Sequence, residues 1–163
     1  MNKKILFLLL FLVVDALLIW LLFYPGYRPW DGKQTGLVVV NILDENLYKD
    51  CHIKGSINVP FARAEGYIRK RIDPHAEIVL YCSNFMCRSS SSIRRKLLTV
   101  DFDNVWVYRG GTAEWFQLGY PTVGPAKETY LHKKLRVLST FKDYEISAWD
   151  LKERLEKSSI GND

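Results

Sequence analysis

The chain has 163 residues, of which 48% are hydrophobic, and its formal net charge is +5 at pH 7. This length accommodates one globular domain with additional segments and excludes a second full domain. Because the Lys and Arg residues are spread along the sequence rather than clustered in one stripe, we expect no nucleic-acid partner. The three cysteines are an odd number, which argues against a disulfide scaffold, and no Cys/His spacing is typical of a zinc site. We therefore expect neither a metal nor another cofactor.

A transmembrane helix is the first predicted element, and we assign residues 1–24 to it. Residues 5–23 are almost continuously apolar, and about 20 such residues, with a rise of ~1.5 Å each, span the hydrocarbon core of a bilayer. Asp15 costs about 3 kcal/mol at the centre of the bilayer, whereas each Leu, Ile, Phe or Val contributes roughly 0.3–0.6 kcal/mol toward insertion. Residues 24–30 are bulky and rich in proline, which is not typical of a signal-peptide cleavage site. We therefore expect an uncleaved, single-pass anchor in membrane lipid.

The charges that flank this anchor predict its orientation. The free amine, Lys3 and Lys4 lie before it, and a mixed set of charges follows it: Arg28, Asp31 and Lys33. Because cytoplasmic flanks are enriched in Lys and Arg, we expect the N-terminus in the cytoplasm and the domain on the extracytoplasmic side, periplasmic or extracellular. Asp15 either pairs with a partner helix in the membrane or is a single tolerated charge.

Strands and helices alternate along residues 36–125, after a short linker at residues 25–35. Apolar, β-branched runs predict buried strands, at residues 37–42, 78–81 and 105–108. Helical patterns lie between and after these strands, at residues 44–50, 61–71, 88–98 and 112–118. The alternation predicts an α/β fold with a central parallel sheet and helices on both faces.

Cys82 directly follows the second of these strands, and a short loop then leads to the helix that begins at Arg88. The N–H groups of a loop that enters a helix point into the space above it, and the helix N-terminus adds about half a positive charge. A thiolate is favoured over a thiol at such a position. In a parallel sheet, the ligand crevice also lies at the carboxyl ends of the strands. Taken alone, the cysteine could equally be a buried, inert residue.

Three motifs in the right order make the sequence similar to the rhodanese-like (sulfurtransferase) family. The first motif is CHIKGSINVP at residues 51–60, in which Cys51 replaces the usual glycine, and the second is the cysteine loop. The third is NVWVYRGGTAEW at residues 104–115, followed by Gly119, Tyr120 and Pro121. The resemblance covers residues 36–124 and implies a three-layer fold around the parallel sheet. It does not account for the N-terminal segment.

The resemblance also implies a chemistry. In this family a cysteine thiolate attacks the outer sulfur of thiosulfate or a persulfide, holds it as a cysteine persulfide and passes it to a nucleophilic acceptor. Cys82 takes the place of the nucleophile. The implied substrate-binding loop follows it: Ser83, Asn84, Phe85, Met86, Cys87 and Arg88. The expected partner is a small anionic sulfur donor, which Arg88 is placed to hold unless it simply faces solvent, or a protein persulfide.

The loop and its surroundings depart from the family pattern. Phe85 and Met86 stand in the middle of the loop, where most members have glycine, so we expect a different backbone path. We also expect these two side chains to form an apolar lip that favours bulky or protein substrates. Asn41 and Leu43 replace the aspartate and arginine usual after the first long strand, which puts the network under the loop in doubt. His52 lies in the family motif, where its role is structural.

The second loop cysteine leaves two interpretations open. Cys87 is either a resolving thiol that forms a disulfide with Cys82 or a small residue at the helix entry. The spacing from Cys82 to Arg88 is also that of Cys-dependent phosphatases and arsenate reductases, although Tyr81 stands where those phosphatases have histidine. A non-catalytic, membrane-tethered binding module is the remaining alternative.

The C-terminal part, residues 126–163, is predicted to hold a basic connector and then a strand fragment with a helix. The helix carries the N-cap Ser147, Asp150 at its third position, and Leu151 and Leu155 on one face. Rhodanese-like domains open with a short strand and a helix, and the residues between the predicted anchor and the strand at residues 37–42 are too few to supply both. The C-terminal unit either supplies them through a circular permutation, is an incidental amphipathic helix, or begins a truncated second copy.

Overall fold

A four-stranded sheet organises the computed structural model, which describes residues 32–135 and 142–160. The strands of this described part are β1 (Leu37–Asn41), β2 (His52–Ile53), β3 (Ile57–Asn58), β4 (Glu77–Tyr81), β5 (Val105–Tyr108) and β6 (Thr122–Val123). The sheet has the order β3-β1-β4-β5 with all neighbours parallel, and β2 pairs with β6 in a separate antiparallel ribbon. The predicted long strands and the predicted parallel sheet are confirmed.

The helices of the described residues lie between and after these strands. They are α1 (Glu45–Asp50), α2 (Phe61–Arg71), α3 (Ser89–Leu97), α4 (Gly111–Gln117), a short 3₁₀ helix (Thr129–His132) and α5 (Ala148–Ile160). The four helices predicted within the domain are confirmed, and their ends differ from the prediction by no more than one residue.

The sheet is the middle of three layers, because successive residues of a strand face opposite sides. Val40 packs in one core cluster with Ile68 of α2. Its neighbour Val39 packs in a second cluster with Trp115 of α4 and Leu151 of α5. Apolar runs without alternation are typical of strands that are covered on both faces. The predicted α/β fold with helices on both faces is confirmed.

The predicted transmembrane anchor of residues 1–24, with Asp15, lies outside the described residues. Within residues 32–135 and 142–160, no helix combines the length and the apolar character that crossing a bilayer requires. The anchor, its orientation and its partners therefore stay predictions.

The C-terminal unit lies at the outer edge of β5. The Val107 N–H donates to the Tyr144 carbonyl at 3.0 Å and the Ile146 N–H donates to the Val107 carbonyl at 3.1 Å, which together form a parallel bridge. The helix α5 follows Ser147, whose Oγ accepts a hydrogen bond from the Asp150 N–H at 3.1 Å. A side-chain oxygen in this role satisfies one of the free N–H groups at a helix start. The predicted strand fragment and N-cap are confirmed.

The helix α5 covers one face of the sheet with its apolar side chains. Leu151 is fully buried and Leu155 is partly buried, and both belong to the cluster that contains Val39. Arg154 on the same helix forms an ion pair with Glu77 of β4. The C-terminal unit is therefore part of the core, while its origin by circular permutation stays a prediction.

The first part of the basic connector is attached to the domain. The Asp50 carboxylate accepts hydrogen bonds from the N–H groups of Lys127 and Glu128, both at 2.9 Å. Leu131 is fully buried, and Gln117 donates to its carbonyl at 2.8 Å. These contacts hold the chain against α1 and α4 after it leaves the β2–β6 ribbon.

We expect Leu151→Ala to lower the free energy of unfolding by about 2–5 kcal/mol, because it leaves a cavity between α5 and the sheet. Trp149→Ala on the same helix is the control, since Trp149 is 63% exposed and its removal should cost less than about 1 kcal/mol. Denaturant titration of the full-length chain in detergent measures both values. Small losses of equal size in the two variants would show that α5 is an appendage.

Candidate active site

Cys82 is the first residue after β4, at the carboxyl edge of the sheet. Tyr81, the last residue of β4, is in register with Asn41 of β1 and Tyr108 of β5, so the segments after these strands leave the sheet side by side. Cys82 is 2% exposed, and the loop after it leads to α3. Cys82 therefore lies where the sequence predicts it, at the edge where parallel sheets of this kind bind ligands.

A tight turn forms in the middle of the loop, although this chain lacks the glycine that most members of the similar family have there. The Cys87 N–H donates to the Asn84 carbonyl at 3.0 Å, and the Met86 N–H donates to the Asn84 side-chain oxygen at 3.0 Å. An asparagine that bonds the backbone two residues ahead stabilises such a turn. No residue from Cys82 to Arg88 has a positive φ. The loop therefore reverses its direction without a positive φ, the backbone conformation that favours glycine.

This turn brings the two loop cysteines together. The Cα atoms of Cys82 and Cys87 are 6.4 Å apart, and their sulfur atoms form a disulfide. A resolving thiol must lie within covalent reach of the nucleophile's sulfur, and Cys87 meets this requirement. While the disulfide exists, Cys82 has no free thiol, so the structure represents an oxidised form of the site.

The side chains of the loop differ in exposure. Phe85 is 6% exposed, whereas Met86 is 84% exposed. The expected apolar lip is therefore wrong for Phe85, whose ring turns inward because burial removes it from water. Ser83 is partly buried and Arg88 is exposed. The Arg88 guanidinium forms no hydrogen bond or ion pair with any residue that the structure describes.

The start of α4 holds the first residues of the loop. The Thr112 N–H donates to the Cys82 carbonyl and the Ala113 N–H donates to the Ser83 carbonyl, both at 2.9 Å. Gly111 has a φ of 63°, and a Cβ at this position would collide with the carbonyl oxygen of Cys82. Glycine is therefore required at this position for both its backbone conformation and the close approach of the two segments.

Arg109 holds the middle of the loop and was missed by the sequence analysis. Its Nη2 donates to the Phe85 carbonyl at 2.6 Å, and its Nη1 lies 3.4 Å from the Ser91 Oγ of α3. A hydrogen bond from a charged donor is worth about 1.5–3 kcal/mol. Its position in the sequence could have indicated this role, since Arg109 directly follows β5 at the same edge of the sheet as Cys82.

Ser90 is the second residue that the sequence analysis missed. It lies in the first turn of α3, is fully buried, and its Oγ is 3.9 Å from the Cys82 Sγ. A hydroxyl that donates to sulfur favours the thiolate over the thiol once the disulfide is reduced. Residues 89–92 are all serine, so no feature of the sequence indicates which hydroxyl faces the cysteine.

A separate hydrogen-bond network joins the ends of β1 and β3. The Asn41 side-chain oxygen accepts from the Leu43 N–H at 2.9 Å, and the Asn58 amide donates to the Leu43 carbonyl at 2.9 Å. No hydrogen bond in the described part of the chain joins the Asn41 side chain to the loop of residues 82–88. The loop is instead held from the opposite side, by Arg109 and α4.

The third cysteine lies away from the loop. Cys51 is fully buried in a cluster with Ala113 and Leu131, and burial raises the pKa of its thiol, which keeps it protonated at neutral pH. His52 stacks on Tyr48 with ring centroids 3.7 Å apart, and its Nδ1 lies 2.8 Å from the Tyr48 carbonyl oxygen. Among the described residues, no group of three His, Cys, Asp or Glu side chains is arranged to hold a metal ion.

Comparison with known proteins identifies relatives of this domain. The family described as "Rhodanese-like domain" matches residues 30–118. The thiosulfate sulfurtransferase GlpE of Coxiella burnetii is 25% identical over 83 residues, which cover 51% of this chain and 75% of that protein.

Solved structures share the same fold. The BH2092 protein of Bacillus halodurans superposes with a TM-score of 0.51 and 22% identity, over 77% of this chain and 88% of that one. The Alr3790 protein of Anabaena sp. superposes with a TM-score of 0.51 and 23% identity, over 56% of this chain and 80% of that one. At these identities the likeness supports the fold alone.

We expect Ser90→Ala to slow the alkylation of the reduced Cys82 at neutral pH by about fivefold, because a hydroxyl that donates to sulfur favours the reactive thiolate. The substitution removes the buried hydroxyl that lies 3.9 Å from the sulfur. Ser92→Ala, on the same helix, is the control because the Ser92 hydroxyl forms no hydrogen bond with Cys82. The rate of alkylation as a function of pH, in a Cys87→Ser background, measures the change. Equal curves for the two variants would leave Ser90 without a role at the sulfur.

Proposed function

Because the chain belongs to the rhodanese-like domain family, we propose that it is a sulfurtransferase that carries sulfane sulfur as a persulfide on Cys82. One observation carries this proposal: Cys82 directly follows β4 at the carboxyl edge of the sheet, with the buried Ser90 hydroxyl 3.9 Å from its sulfur. The relative GlpE of Coxiella burnetii is a thiosulfate sulfurtransferase, which supports thiosulfate as one donor.

The proposed reaction begins with the reduced Cys82 thiolate, which attacks the outer sulfur of thiosulfate or of a protein persulfide. The S–S bond of the donor breaks, its electron pair leaves with sulfite or with the donor thiolate, and Cys82 holds the transferred sulfur as an anionic persulfide. A nucleophilic acceptor then attacks this outer sulfur and releases the Cys82 thiolate. The N–H groups at the start of α3 stabilise the negative charge on sulfur in both steps.

The loop supplies two surface groups for the donor. The Arg88 guanidinium is exposed and has no partner among the described residues, so it is free to pair with an anionic donor. Met86, two residues before Arg88 in the loop, is 84% exposed and offers an apolar contact for a bulky or protein donor. Ser83 and Asn84 shape the loop through backbone hydrogen bonds.

A phosphatase or arsenate reductase reaction fits these contacts less well. Such enzymes surround a tetrahedral oxyanion with the N–H groups of the whole loop between cysteine and arginine. In this chain the N–H groups of Met86 and Cys87 both donate to Asn84 instead. A non-catalytic binding module does not require a buried hydroxyl beside the Cys82 sulfur. If the domain were such a module, no sulfur transfer would be detected.

The anchor predicted at residues 1–24 would hold this domain on the extracytoplasmic side of a membrane. The apolar run of residues 5–23 and the charges that flank it support this location. Lipid is the proposed partner of the anchor, and Asp15 provides a contact for a second membrane helix. A disulfide between Cys82 and Cys87 fits an oxidising compartment of this kind.

We expect Cys82→Ser to lower the rate of sulfur transfer from thiosulfate to cyanide by about 10³-fold or more, because it removes the nucleophile. Cys51→Ser is the matched control, since Cys51 is fully buried away from the loop and its thiol is protonated. The full-length chain is assayed after reduction. A comparable loss of activity in a folded Cys51→Ser variant would contradict the assignment.

We expect Arg88→Ala to raise KM for thiosulfate about tenfold and to change KM for an uncharged sulfane-sulfur donor, such as an organic trisulfide, far less, because the lost charge acts on the anion. Arg95→Ala, which removes another exposed charge from the same region of the chain, controls for the change in net charge. Steady-state kinetics with both donors distinguish the variants. An equal effect on the two donors would make Arg88 a structural residue.

A further inference from the structure

The transfer of sulfur to an external acceptor does not require a second cysteine beside Cys82. One thiol is sufficient for that reaction, yet the turn at Asn84 holds a second cysteine within bonding distance of the first. Cys87 is partly buried and packs against the core cluster that contains Cys82. Its position is therefore fixed by the fold of the loop, as expected for a residue that takes part in the chemistry.

We propose that this site releases its sulfur as sulfide, with Cys87 as the internal acceptor. The proposal rests on the proposed function, because it begins from the Cys82 persulfide. The substrate class is then a sulfane-sulfur donor, the products are sulfide and the Cys82–Cys87 disulfide, and the oxidised structure is the state after one turnover.

The step balances without an external oxidant. The Cys87 thiolate attacks the inner sulfur, Cys82 Sγ, and forms the disulfide bond that the structure contains. The bond between the inner and outer sulfur breaks, and the outer sulfur leaves with the electron pair as HS⁻, taking the proton of the Cys87 thiol. The outer sulfur gains two electrons, and the two cysteine sulfurs together lose two.

Geometry favours this internal acceptor over one from solution. Cys87 already lies at bonding distance, and well-oriented intramolecular groups reach effective molarities of about 10⁵ M or more. The inner sulfur belongs to Cys82, which is 2% exposed, so a solution thiol has poor access to it. The hydrogen bonds that the N–H groups of Met86 and Cys87 donate to Asn84 keep Cys87 in place for the attack.

The difference in exposure between Cys82 and Cys87 also determines how the disulfide is reduced. An external dithiol attacks the more accessible sulfur, that of Cys87, and Cys82 leaves as a thiolate beside the Ser90 hydroxyl. The second thiol of the reductant then displaces Cys87 from the mixed disulfide. The reductant ends as a disulfide and both cysteines are reduced, so the sustained reaction consumes one dithiol for each sulfide released.

A single-turnover experiment on the full-length chain in detergent tests this proposal. The protein is reduced with a dithiol, freed of the reductant, and mixed with excess thiosulfate in the absence of any acceptor. Released sulfide, remaining thiols and protein-bound sulfane sulfur are then measured. We expect one equivalent of sulfide per chain and loss of the Cys82 and Cys87 thiols. A second reduction should restore a second burst of the same size.

The variants identify the source of the sulfide. Cys87→Ser should release no sulfide and should retain one equivalent of bound sulfane sulfur on Cys82, whereas Cys51→Ser should behave like the unmodified chain. Cys87→Ala repeats the test with a different side chain in case the serine variant does not fold.

Two results overturn the inference in different ways. If the unmodified chain keeps its persulfide and releases no sulfide, or if a folded Cys87 variant releases as much sulfide as the unmodified chain, Cys87 is not the acceptor. In both cases the Cys82 persulfide is still formed and the proposed function stands. If neither the unmodified chain nor the Cys87 variants take up any sulfur, the proposed function itself fails.

Discussion

The contact between the start of α4 and the start of the cysteine loop is the constraint on which the site depends. The N–H groups of Thr112 and Ala113 bond to the first two carbonyls of the loop at 2.9 Å, and this approach requires glycine at position 111. The contact fixes the direction in which the chain leaves β4. Arg109 extends the support to the middle of the loop, so one connection after β5 positions the whole segment. The sulfur of Cys82 is consequently directed toward the first turn of α3.

The turn within the loop adds a second level of organisation. In place of a glycine, Asn84 bonds two N–H groups and directs Cys87 back to Cys82. This choice has a chemical consequence, because N–H groups used in the turn are not available to surround an oxyanion. These contacts support the proposed sulfur chemistry at the cysteine pair over the binding of phosphate or arsenate.

The sequence was sufficient for the three long strands and the four helices of the domain, because apolar runs and turn residues are local signals. It also located Cys82, since a strand, a cysteine, a loop and a helix follow one another along the chain. It did not predict β2, β3 and β6, since strands of two residues are too short to show a pattern. The inward turn of Phe85 and the contacts of Ser90 and Arg109 could not be predicted in this way. They depend on how α3 and the β5–α4 connection pack around the loop, and adjacent serines are identical until that packing selects one. Leu151 was predicted correctly because the amphipathic pattern of α5 marks its buried face.

We propose that Cys82, among the three cysteines of the chain, receives sulfur from the donor. Tandem mass spectrometry of the reduced Cys87→Ser chain after exposure to thiosulfate tests it most directly, because the resolving thiol is absent and the adduct persists. We expect the added mass of one sulfur atom on the peptide that contains Cys82 and none on the peptide that contains Cys51. Sulfur on Cys51, or on neither peptide of a folded protein, would contradict it.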